Sequence, residues 1–240
     1  MMAYTEQETK KFFYDALQNN ILQLYNNECI NWSGQTKDTN KLYSEIIASE
    51  LLKNLKEFNK ISTLTRSSSY KINSHAKVRM DLRKSNRNEK NFAKRLYGLN
   101  FDKMGKILDY QTPLKGTSKD KGIGKIDLIS HNDTEQCLYL IELKFGGNND
   151  TLLRAILESY TYYKIIDHNK LISDFCLQVN KVKILPSVMI VSTANKLCKS
   201  FIELYEMESG KRPKLKELAQ NLGTKFFSCK LNGIFTNSCL

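Results

Sequence analysis

Two short apolar runs carry charged side chains that strands do not bury without a reason. Gly124-Lys125-Ile126-Asp127-Leu128-Ile129 holds Asp127, and Leu138-Tyr139-Leu140-Ile141-Glu142-Leu143-Lys144-Phe145 holds Glu142 and Lys144. Taking an ionised carboxylate out of water costs on the order of several kcal/mol unless a counter-charge or a metal meets it, so these residues define a candidate site. Side chains at i and i+2 of a strand share a face, so Glu142 and Lys144 project together while Ile141, Leu143 and Phe145 face away. The intervening residues 130–137 include Asn132-Asp133, which is turn chemistry. An antiparallel hairpin follows, with Asp127 beside Glu142.

Two converging carboxylates repel each other, and as hard oxygen ligands they suit Mg²⁺ or Mn²⁺, ions that retain several waters. A water on such an ion becomes a nucleophile, and the compact ammonium of Lys144 is placed to orient it or to offset charge building on a phosphate. Phosphodiester hydrolysis needs these parts. The bland alternative is an ion pair on an edge strand.

Asp127 followed by Glu142-Leu143-Lys144 on the next strand resembles the motif of the PD-(D/E)XK nuclease superfamily, although Ile126 stands where that name has proline. The resemblance covers a minority of the chain. It implies an α/β fold with a restriction-endonuclease-like αβββαβ core, a mixed central sheet flanked by helices. It also implies Mg²⁺-dependent (or Mn²⁺-dependent) cleavage of nucleic acid, DNA before RNA, in defence or mobile-element biology. Asp127 and Glu142 would be metal ligands, the Leu143 carbonyl a further ligand and Lys144 catalytic. A glutamate on the first core helix often lies near the metal in this superfamily, and Glu45 matches that position, with Glu50 as its rival. The alternative on the same fold is a nucleic-acid-binding module without turnover.

Charge points to an anionic partner. Residues 66–125 contain 16 Lys or Arg against five Asp or Glu, a surplus of 11 within a net charge of +12. A basic block next to a phosphate-cleaving site is the footprint of a nucleic-acid groove. Lys77, Arg79, Arg83, Lys84 and Arg87 are the candidate phosphate contacts in the block, against the plain alternative of a solvated charged face. Lys119 and Lys121 within a glycine-bearing turn over 115–124, and Lys125 just after it, are further candidate nucleic-acid contacts; the turn lacks Walker or Gly-x-Gly-x-x-Gly spacing, which argues against an ATPase.

The elements that must position these residues read as one domain over 1–240, with an N-terminal helical segment at about 1–60 and a basic insertion at about 66–105 before the hairpin. Apolar spacing predicts helices over 6–25 and 42–58, the second capped by Thr39 or Asn40 after a polar break at 31–40. A strand over 106–112 ends at Pro113. After the hairpin, 146–150 is a break and cap, and a helix over 151–167 places Arg154, Glu158 and Tyr162 on one face. A buried strand over 187–192 runs alongside the hairpin, followed by helices over 195–209 and 213–222 and a last strand over 225–231. The six cysteines show no Cys-x-x-Cys spacing and the three histidines are scattered, so zinc is not expected and free buried thiols are. No apolar stretch approaches the roughly 20 residues of a membrane span, and residues 1–11 are unlike a signal peptide. A soluble, cytoplasmic protein is expected, with a homodimer left open.

Overall fold

Asn132 closes the hairpin. Its Oδ1 accepts from the backbone N–H of Thr134 (3.0 Å) and of Glu135 (3.1 Å), an Asx turn that reverses the chain. From there the ladder runs back from the Asn132–Cys137 pair to Leu128–Ile141. In the computed structural model, which describes residues 3–72, 75, 88–116, 123–193 and 197–231, this hairpin is the centre of a six-stranded mixed sheet. The strands β1 (Asn100–Phe101), β2 (Gly105–Pro113), β3 (Lys125–Asn132), β4 (Cys137–Phe145), β5 (Lys183–Thr193) and β6 (Lys225–Leu231) lie in that spatial order.

Pairing is antiparallel from β1 to β4 and parallel across β4, β5 and β6. Unlike antiparallel neighbours, parallel ones need crossovers. These are helical: α4 (Leu152–Ile165) and α5 (His168–Asp174) join β4 to β5, and α6 (Lys199–Glu208) and α7 (Pro213–Asn221) join β5 to β6. Ahead of the sheet come α1 (Glu6–Asn19), α2 (Tyr43–Lys53) and α3 (Asn88–Leu96).

Each face of the sheet has its own core. On one side Phe13, Leu51, Leu153 and Ile156 pack with Leu140 and Ile190. On the other, Phe92 and Leu96 of α3 pack with Ile107, Leu128, Ile141, Leu143 and Met189. Ser159 pins α4 to the sheet, its hydroxyl accepting from Ser187 N–H (2.8 Å) and donating to the Leu140 carbonyl (3.3 Å). The first turn of α4 is fixed twice: Thr151 caps Arg154 N–H, and Glu203 of α6 accepts from Leu152 N–H at 2.6 Å.

Several elements end differently from the sequence expectation, each for a local reason. The helix predicted over 6–25 stops at Asn19, because the Asn20 side chain accepts from Leu22 N–H and starts a 3₁₀ turn over Ile21–Asn26. The helix predicted over 42–58 is α-helical to Lys53 and 3₁₀ over Leu55–Lys60, and its N-cap is Leu42, with neither Thr39 nor Asn40 in that role. Pro186 does not limit β5, which extends back to Lys183; pairing with β6 begins only at Ser187, so the proline sits where one side of the strand is still an edge. Helix α5, capped by Asp167, was not anticipated. Cys29, Cys137, Cys198 and Cys229 are buried free thiols, whereas Cys176 is exposed. Among the described residues no helix is long and apolar enough to cross a membrane.

Candidate active site

The β3–β4 register, continued one residue past its last pair, sets Asp127 opposite Glu142. Asp127 is half-buried, and both its oxygens are held: Oδ2 accepts from Leu143 N–H at 3.0 Å and Oδ1 from the Gln111 side-chain amide at 2.6 Å. Glu142 and Lys144 are only 6 % and 4 % exposed. The Lys144 ammonium donates to Glu142 Oε1 (2.9 Å), to Asp150 Oδ2 (3.0 Å) just beyond β4, and to Glu158 Oε2 (3.3 Å) on α4. Tyr162, one turn along α4, donates to the other Glu158 oxygen at 2.8 Å. Arg154 meets Asp150 instead, at 3.1 Å. The four-residue spacing of Glu158 and Tyr162 was readable, but Asp150 reads in sequence only as part of a helix cap.

These groups are strongly coupled. Burial pushes the Asp127 carboxyl up to about 7, with Glu158 and Glu89 adding to the effect and the Leu143 N–H and Lys144 opposing it. Burial also raises Glu142 well above the usual carboxylate range, and Glu158 raises it further. Burial works against the Lys144 ammonium, yet Glu142, Glu158 and Asp150 outweigh it and keep the proton on. One ammonium is thus shared by three carboxylates, with Asp127 alongside. Fully ionised, the four carboxylates would outnumber the charges of Lys144 and Arg154, so burial and this imbalance together make Asp127 and Glu142 hold their protons to higher pH; a bound cation would favour their ionised forms.

Asp127 opens onto a cleft of about 460 Å³ lined also by Gln111, Glu89, Lys90, Phe145 and Asn148. Glu89 lies in the first turn of α3 and accepts from the Asn148 amide (2.6 Å) and from Phe145 N–H (3.3 Å). The helix carboxylate at this cleft is therefore Glu89. Glu45 is not brought to the hairpin; its two oxygens accept from Lys214 and Leu215 N–H at 2.9 Å each and cap the first turn of α7. Glu50 is buried against α1, accepting from Tyr14 OH (2.7 Å) and Lys53 (2.8 Å), which hold it below the usual carboxylate range despite its burial. Nothing in the local pattern marked Glu89, because it stands inside the basic block.

Among the described residues no group of three or more His, Cys, Asp or Glu side chains forms a ready-made metal cage. The donor set is nevertheless of the right chemistry for a hard ion that keeps its waters. Asp127 and Glu142 supply carboxylate oxygens. A strand residue directs its N–H and C=O to the same side, so Leu143, whose N–H meets Asp127, presents its carbonyl to the same side of β4.

Of the basic residues, Lys125 is exposed at the start of β3, two positions from Asp127. Lys77, Arg79, Arg83, Lys84, Arg87, Lys119 and Lys121 lie outside the described residues. Lys90, which the sequence reading passed over, lines the cleft beside Glu89. No family model, curated protein or solved structure matches the chain.

Proposed function

We propose that this chain is a divalent-metal-dependent nuclease with a restriction-endonuclease-like core, hydrolysing phosphodiester bonds of nucleic acid, DNA in preference to RNA. The observation that carries the reading is Lys144, buried among Glu142, Asp150 and Glu158 at the end of a hairpin whose other acid, Asp127, opens onto a cleft. The order β2, β3, β4, α4, β5, an antiparallel meander followed by a helical crossover to a parallel strand, supports the core assignment.

Asp127, Glu142 and the Leu143 carbonyl would hold Mg²⁺ or Mn²⁺. When bound, the ion supplies charge neutralisation at the phosphate and a water acidic enough to attack at neutral pH. Asp127 is kept at the cleft by the Leu143 N–H, so its orientation comes from the backbone of the neighbouring strand. Lys144 remains protonated and fixes the Glu142 carboxylate, and its ammonium offsets charge that builds at the phosphate. Lys90 and Lys125 lie where a phosphate backbone entering the cleft would need counter-charge.

The test incubates the purified full chain with supercoiled plasmid, single-stranded DNA and RNA in Mg²⁺, Mn²⁺ or EDTA, beside Asp127→Asn and Glu142→Gln. Products should form only with metal, and each variant should cut at least about 100-fold more slowly. Cleavage indifferent to both substitutions would place the chemistry elsewhere. Binding without products under any metal would leave a nucleic-acid-binding module.

A further inference from the structure

Gln111 occupies a backbone conformation that its residue type does not favour. It sits within β2 at φ +51°, in the left-handed region, although it is neither glycine nor in a turn. The register pairs on either side, Tyr110–Leu128 and Thr112–Ile126, set it directly across from Asp127. At the same point β3 changes character: Ile126 belongs to the core under α4 and Leu128 to the core under α3, although two residues apart on a regular strand they would share a face. A register shift lies earlier in β2, between Ile107 and Asp109; this second distortion centres on the Gln111–Asp127 pair. Its outcome is a side-chain amide at the cleft, donating to Asp127 Oδ1 at 2.6 Å.

We propose that Gln111 is a positioning residue, its left-handed backbone retained in order to hold Asp127 turned into the cleft. Unfavourable backbone geometry persists where the surroundings over-determine it, and here those surroundings are the candidate site. The inference rests on the reading of Asp127 as a metal-holding carboxylate. With both oxygens tied, one by Leu143 N–H and one by Gln111, the carboxylate has a single orientation before any ligand arrives. Glycine at 111 would suit the backbone better and lose the amide, which separates the two roles.

The experiment compares wild type with Gln111→Gly and Gln111→Asn in thermal unfolding, in Mn²⁺ titration calorimetry without nucleic acid, and in plasmid cleavage at saturating Mn²⁺. Gln111→Gly should unfold at or above the wild-type temperature, bind Mn²⁺ at least tenfold more weakly and cut at least tenfold more slowly. Asparagine tolerates the left-handed region but is one methylene short, so Gln111→Asn should share the binding defect. A glycine variant with wild-type Mn²⁺ affinity would overturn the proposal and leave Gln111 a backbone device only. If wild type binds Mn²⁺ but cuts nothing, the nuclease reading fails while the affinity comparison still decides the role of Gln111. A wild-type chain that binds no Mn²⁺ overturns both.

Discussion

The raised Asp127 carboxyl has a consequence for stability against pH. An unfolded carboxyl of this type ionises near 3.8, whereas burial moves Asp127 up to about 7 in the fold. Between those values the folded state holds more protons than the unfolded one, so this group makes stability fall as pH rises from about 4 to about 7, with no further loss above. Denaturation of the chelator-treated protein across that window should show a decline to which Glu142, also raised by burial, contributes, and Asp127→Asn should make it shallower. An unchanged slope in the variant would remove Asp127 as a source. Glu89 and Glu45 make a second contrast at this scale. Glu89→Gln should slow cleavage by about tenfold or more, since it lines the cleft, while Glu45→Gln should leave the rate per folded molecule unchanged. Equal effects on rate would contradict the placement. Glu142 and Lys144 were legible in sequence because strand alternation has a period of two, and Asp127 because a turn signal sets its run beside theirs. Glu158 showed only as one of a helix face spaced by four, and Gln111, Glu89 and Asp150 were not legible, because they come from other elements and meet the hairpin only through packing.

The helices around the sheet have ends fixed by partners far away in the chain. Glu45 on α2 satisfies the first N–H groups of α7, which has no side-chain cap of its own, so Glu45→Ala should cost about 1 kcal/mol in urea denaturation. A neutral result would mean that water replaces the cap without loss. Gly124, just before β3, is a position of close approach: a Cβ there would lie 2.1 Å from the Tyr162 hydroxyl, the group that donates to Glu158. Gly124→Ala should therefore displace α4 or the strand and destabilise by about 1–3 kcal/mol. Wild-type stability in that variant would show that Tyr162 swings aside freely. Neither dependence is visible in the local sequence, since Glu45 sits on an ordinary helical pattern and Gly124 reads as turn punctuation.

The whole molecule carries a net charge of +12, concentrated before the hairpin. Binding to a duplex should therefore weaken steeply with salt, each phosphate contact contributing about 0.9 to the slope of log affinity against log salt. Lys125→Ala should lower that slope by about one contact in a salt series followed by fluorescence anisotropy. A slope near zero in the wild type would deny the charge any role in binding. From its sequence alone the chain determined an α/β class, a central hairpin bearing two acids and a lysine, and a basic segment, because periodicity and turn chemistry act over a few residues. Only the tertiary structure decided that Lys144 is shared among three carboxylates, that Glu89 faces the cleft while Glu45 caps another helix, and that Gln111 holds Asp127. Those pairings depend on which faces of which elements are pressed together, and packing of that kind has no local period to read.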